Sequence, residues 1–114
     1  MIEYLVEIKS DLNLKDKRYG EIALHYACRN ENISFEIIKY FVENKSDLNS
    51  KDERNNIALH YACRNDKISF EIIKYFVENK SDLNSKNERN NIALHFACRN
   101  DNVSFWKNKI FDWK

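Results

Sequence analysis

The chain has 114 residues, 43% of them hydrophobic and 32% charged, and its net charge at neutral pH is +1. That length holds one domain with enough apolar residues for a core, and near-neutrality excludes an overall pull toward nucleic acid or an anionic membrane. No apolar run approaches the roughly 20 residues a membrane-spanning helix needs, and Met1-Ile2-Glu3-Tyr4-Leu5 lacks the basic start of a secretory leader. A cytoplasmic setting is expected, with a nuclear one left open.

The chain opens partway through a unit, because Ile2-Glu3-Tyr4-Leu5-Val6-Glu7 matches Ile38-Lys39-Tyr40-Phe41-Val42-Glu43 at an offset of 36. The block Ile-Ala-Leu-His-Tyr-Ala-Cys-Arg-Asn then appears at Ile22–Asn30 and Ile57–Asn65, and at Ile92–Asn100 with Phe96 for Tyr61. These blocks recur every 35 residues, so one extra residue sits in the first connection, Lys17-Arg18-Tyr19-Gly20-Glu21, with Tyr19 as the expected insertion. Glu36–Asn65 and Glu71–Asn100 differ at two of thirty positions, Asp52/Asn87 and Tyr61/Phe96. A unit this short cannot bury its own apolar face and must stack on copies of itself.

Each unit reads as two helices. Ala58, Leu59, Ala62 and Cys63 give a narrow apolar face on a short first helix, with small residues that let a neighbour approach. Asn65-Asp66 is expected to end it, with Asn in the left-handed conformation. Ser69 stands as the cap of a second helix, which carries Phe70, Ile73, Phe76 and Val77 on one side and Glu71 in its first turn, where the helix dipole favours an anion. The polar stretch Ser81–Asn91 links to the next unit. The expected fold class is an all-α helix–loop–helix solenoid with long polar turns: a partial repeat over 1–14, repeats over 15–50 and 51–85, and a truncated or divergent repeat over 86–114.

Asp52-Glu53-Arg54-Asn55-Asn56-Ile57-Ala58-Leu59-His60-Tyr61-Ala62-Cys63 resembles the start of an ankyrin repeat, Asp-x-x-Gly-x-Thr-Pro-Leu-His-x-Ala-Ala. Glu71–Phe76 followed by Ser81-Asp82-Leu83-Asn84 is similar to that family's second helix and its Ala-Asp-Val-Asn ending. The resemblance covers essentially the whole chain. It departs at Ile and Ala in place of Thr and Pro, so the Thr-to-His hydrogen bond is lost. It departs again at Asn55 and Asn90 in place of the turn glycine that Gly20 keeps, and at Lys45 and Lys80 in place of the glycine after the second helix. Ile68-Ser69 lengthens the inter-helix loop by two residues, giving 35 in place of roughly 33.

His25/Cys28, His60/Cys63 and His95/Cys98 could each offer two zinc ligands from one helix face. Stacked helices lie about 8–10 Å apart, so successive pairs are out of reach of one metal. Each His is expected to bond turn backbone, and each Cys to be a small buried residue. No metal, cofactor or catalytic residue is expected, and the chain reads as a non-enzyme.

What the resemblance implies for function is protein binding at the face formed by the turn tips and first helices. In the first unit that face would hold Lys15, Lys17, Arg18, Tyr19, Arg29 and Asn30. The second offers Lys51, Glu53, Arg54, Asn56, Arg64 and Asn65, and the third Lys86, Glu88, Arg89, Asn91, Arg99 and Asn100. Arg29, Arg64 and Arg99 would form a ladder suited to an acidic partner, although Glu53, Glu88, Asp66 and Asp101 interleave opposite charge. Nucleic acid is not expected without a dense basic stripe, nor is a membrane partner. Near-identical repeats argue against a specialised hot spot. Apolar ends at Ile2, Leu5, Val6 and Ile8, and at Trp106, Ile110, Phe111 and Trp113, suggest self-association or a hydrophobic cap. The competing reading is a truncated piece of a longer array with no independent function.

Overall fold

A computed structural model describes residues 12–99, which hold five helices and no strand. They are α1 (Ala23–Arg29), α2 (Phe35–Glu43), α3 (Ala58–Arg64), α4 (Phe70–Glu78) and α5 (Ala93–Arg99). Helices α1, α3 and α5 pack in sequence as the first helices of successive units, and α2 packs on α4 as the second helices. This is the expected all-α helix–loop–helix solenoid. Asn100, both apolar ends and the divergence after Phe105 lie outside the described residues.

Each first helix starts from the same exchange of hydrogen bonds. The Ile22 N–H donates to His25 Nδ1 at 3.0 Å while the His25 N–H donates to the Ile22 carbonyl at 3.1 Å. Ile57 with His60 and Ile92 with His95 repeat it. Histidine thereby caps its own helix, replacing the hydroxyl cap that these units lack. Second helices start at Ser34 and Ser69, whose Oγ atoms accept the N–H groups of Ile37 and Ile72.

Second helices end in a Schellman arrangement. The Ser46 N–H reaches the Phe41 carbonyl and the Lys45 N–H the Val42 carbonyl, with Ser81, Phe76, Lys80 and Val77 repeating the pattern. The geometry needs positive φ at the residue after the cap, so Lys45 and Lys80 adopt 70° and 74°. Asn55, Asn90 and Gly20 take positive φ in the turns, as expected of residues at that position.

The core lies between the two helix layers. Phe41, Phe76, Ile38 and Ile73 pack beneath Leu24, Leu59, Cys28 and Cys63, all fully buried. Burying one such Leu, Ile or Phe side chain stabilises by about 1.5–3 kcal/mol. On α4 the inward face is Ile72, Ile73 and Phe76; Phe70 is exposed, and Ile68 of the preceding loop is buried. Cys98 is also exposed. Cys28 and Cys63 are covered by the next first helix, and no described helix follows α5.

Two loop expectations change. Asn65 is extended (φ −78°, ψ 114°), not left-handed. Its Oδ1 accepts the Lys67 N–H and its Nδ2 donates to the carbonyls of Cys28 and Asn30, 2.8 and 2.9 Å away. Those bonds reach the preceding unit, and the extended backbone itself recurs at Asn30 (φ −74°, ψ 133°). Tyr19 is also not the inserted residue. Its carbonyl accepts the Glu53 N–H just as the Arg54 carbonyl accepts the Glu88 N–H. Asp16 Oδ1 accepts from Tyr19 and Glu21 as Asp52 Oδ1 does from Arg54 and Asn56, so the extra residue falls between Asp16 and Tyr19.

Candidate functional site

The turn tips form a continuous edge. The Asn55 and Asn90 N–H groups close successive turns onto the Asp52 and Asn87 carbonyls, and the Glu53 and Glu88 N–H groups reach back one unit at 2.9 and 2.8 Å. Beneath them, His25 Nε2 lies 3.0 Å from the Ser50 carbonyl and 3.1 Å from that of Asn56, and His60 Nε2 lies 3.0 Å from the Asn91 carbonyl. With Nδ1 accepting from Ile22 or Ile57, the Nε2 atom carries the proton and donates to the next unit. Both nitrogens of each ring are thus engaged by main chain. Burial lowers the His60 pKa and pushes the Cys28 and Cys63 thiols well up, so these pairs supply neither free metal ligands nor a thiolate.

Between the turn tips and the first helices runs a groove of about 1150 Å³ over the second and third units. It brings together Arg54, Asn56, Arg64, Glu88, Arg89, Asn91 and Arg99 from the expected set, with Asp66, Asn87 and Phe96 added. Four arginines face two carboxylates there. A smaller recess of about 370 Å³ over the first unit gathers Tyr19, Glu53, Arg54 and Arg29 with Glu21, Asp52 and Tyr61.

Lys51 and Lys86 are exposed and line neither; the Lys51 carbonyl instead accepts from Lys15 Nζ at 2.7 Å. Arg18 lies over the Tyr19 ring at 5.1 Å. Asn56 is buried, its Nδ2 donating to the Tyr61 hydroxyl and its Oδ1 accepting from Asn87 Nδ2. Asn56 and Asn65 therefore hold the scaffold.

The expected arginine ladder is interleaved with aromatic rings. Arg29 stacks on Tyr26 and Tyr61 (4.9 and 5.0 Å), Arg64 on Tyr61 and Phe96 (6.0 and 5.1 Å), and Arg99 on Phe96 (5.8 Å). These are cation–π distances, and they leave each guanidinium edge free to bond in its plane. Arg29 directs that edge at Glu21, 2.6 and 2.9 Å from its two oxygens. Partial burial pulls the Arg29 pKa down, but the Glu21 bonds outweigh it and the value is raised.

A polar network extends inward from this pair. Tyr61 donates to Asp52 Oδ2 and lies 3.3 Å from Glu21 Oε2; burial and then the Asp52 bond raise its pKa. In the first unit Tyr26 donates to Asp16 Oδ2, which with the Tyr19 N–H lowers the Asp16 pKa to about 2, while Tyr26 rises to about 12. Sequence reasoning missed Glu21, Asp52, Tyr61 and Phe96 as site residues. The available signal was the paired difference Asp52/Asn87 and Tyr61/Phe96.

Among the described residues, no helix is long and apolar enough to cross a membrane. No curated protein matches the chain. A family model of ankyrin repeats in three copies matches residues 1–87 and again residues 31–107. With the repeated helix pairs, histidine caps and turn edge in register, the chain belongs to the ankyrin-repeat family.

Proposed function

We propose that the chain is a non-catalytic, cytoplasmic protein-binding module whose partner lies along the groove of turn tips and first helices. Ankyrin repeats are in general protein–protein interaction modules. The observation that carries the reading here is the groove over the second and third units, where exposed Arg54, Arg64, Arg89 and Arg99 stand on a scaffold fixed by inter-unit hydrogen bonds. Arg64 and Arg99 are held over aromatic rings, so less side-chain order remains to be lost on binding. The interleaved Asp66 and Glu88 make the lining a mixed surface rather than the basic stripe a nucleic acid needs.

Photo-crosslinking residues placed at Arg54 and Arg89 test this against the same residues at Lys39 and Lys74 on the exposed sides of α2 and α4. Capture of a protein from the groove positions alone is expected, and Arg64→Glu with Arg99→Glu should abolish it. Arg29 stays untouched because it is held in an internal ion pair. Equal capture from both surfaces, or none from the groove, refutes the reading.

A further inference from the structure

The same arginine recurs in each first helix, yet what it meets differs from unit to unit. In the first, Arg29 lies between two tyrosine rings and both terminal nitrogens bond Glu21, the residue just before Ile22. In the second, Asn56 holds the place before Ile57. Arg64 keeps the stacked position between Tyr61 and Phe96. The ion pairs among the described residues are Arg29–Glu21 and Lys74–Glu78, so no described carboxylate pairs with Arg64. Its planar edge opens onto a groove with a surplus of positive charge.

We infer that Arg64 takes a glutamate or aspartate side-chain carboxylate from an acidic segment of a partner protein, in the place that Glu21 fills for Arg29. This rests on the protein-binding reading above. The first unit shows what the stacked arginine donates to: both oxygens of one carboxylate, the arrangement in which Arg is strongest. Rings flank the guanidinium at 6.0 and 5.1 Å, leaving its edge as the route of approach. Asp66 and Glu88 share the groove but pair with neither face nor edge of Arg64.

The test follows arginine side-chain N–H signals of isotope-labelled protein by NMR during titration with a short glutamate-rich peptide. The Arg64 signal should move saturably while that of Arg29, already paired, stays in place. Asn56→Glu supplies the carboxylate from within and should abolish the Arg64 response. Arg64→Met, which keeps the apolar stem, should weaken peptide binding by about tenfold and keeps the test decisive if Asn56→Glu fails to fold.

No saturable Arg64 shift overturns the inference, as does an undiminished shift in folded Asn56→Glu. So does a stronger response to a phosphoserine peptide or to an oligonucleotide. An Arg64 shift that grows with protein concentration alone assigns the site to a second copy, and also overturns it. If Arg64 ignores glutamate while Arg54 and Arg89 still crosslink to a protein, the carboxylate inference fails and the protein-binding reading stands.

Discussion

The Tyr61 hydroxyl donates to the Asp52 carboxylate, and these are the two positions at which the central copies differ. Asn87 and Phe96 replace them as a matched set. Phe96 has no hydroxyl to donate, and Asn87 turns its Nδ2 to Asn56 Oδ1 at 3.0 Å. Both partners in the second unit are buried. Tyr61→Phe alone should therefore destabilise by about 1–3 kcal/mol, by stranding a buried acceptor. In the double variant with Asp52→Asn, the new amide can donate to Glu21, the counterpart of Asn56. The combined loss should fall short of the sum of the single losses by about 1 kcal/mol. Urea denaturation of the four proteins measures this coupling, and simple additivity would disprove it.

Acid should loosen the units through His60. Its Nδ1 accepts the Ile57 N–H and its Nε2 donates to the Asn91 carbonyl, so a proton added at Nδ1 would face another N–H. Burial depresses its folded pKa below the unfolded value of about 6.5. The unfolded chain then takes up the proton first. The stability this group contributes is full above about pH 6.5 and is lost as pH falls toward the folded pKa. The denaturant midpoint should decline as pH falls below about 6.5. His60→Gln should lower stability at neutral pH while flattening part of that decline; an unchanged slope counts against the assignment.

Lys45 and Lys80 hold positive φ values of 70° and 74°, where a side chain is strained. Lys45→Gly and Lys80→Gly should each stabilise by about 1 kcal/mol, because glycine removes the Cβ clash without disturbing the Schellman bonds. For a domain of this size each such gain raises the thermal midpoint by about 4–8 °C. The two sites lie in successive units, and their effects should add. A calorimetric midpoint that falls on either change would contradict the strain.

Ser46 and Ser81 carry buried Oγ atoms without a hydrogen-bond partner among the described residues. Alanine at either position removes a desolvated hydroxyl and keeps the backbone N–H that reaches Phe41 or Phe76. Ser46→Ala and Ser81→Ala should stabilise by about 1 kcal/mol each. Chemical denaturation gives the comparison, and a loss of stability would mean that these hydroxyls are satisfied in solution.

Much of the fold was legible because the helix period, the serine caps and the left-handed turn positions are local signals. Ala58, Leu59, Ala62 and Cys63 were read as one buried face from spacing alone, and all four are buried. Errors came at the loop between the helices and in the phase of the second helix. Asn65 was expected to be left-handed, but its side chain reaches the carbonyls of Cys28 and Asn30, residues far away in sequence. Phe70 was assigned inward by helical phase, whereas the buried residues of that helix are Ile72, Ile73 and Phe76.

The candidate site divides the same way. Position along the repeat puts Arg54, Arg64, Glu88, Arg89 and Arg99 on one face, and these residues line one groove. It treated Arg29, Arg64 and Arg99 as equivalent because their local sequences are the same. Periodicity and the recurring Leu-His-x-Ala-Cys block were enough to fix the repeat, its helices and its stacking, since a short amphipathic unit has one way to bury its face. Only the tertiary structure distinguished an arginine closed by Glu21 from one open beside Asn56. That difference depends on which side chains cross between turn and helix: Glu21 precedes the first block and Asn56 the second, although the two blocks are identical.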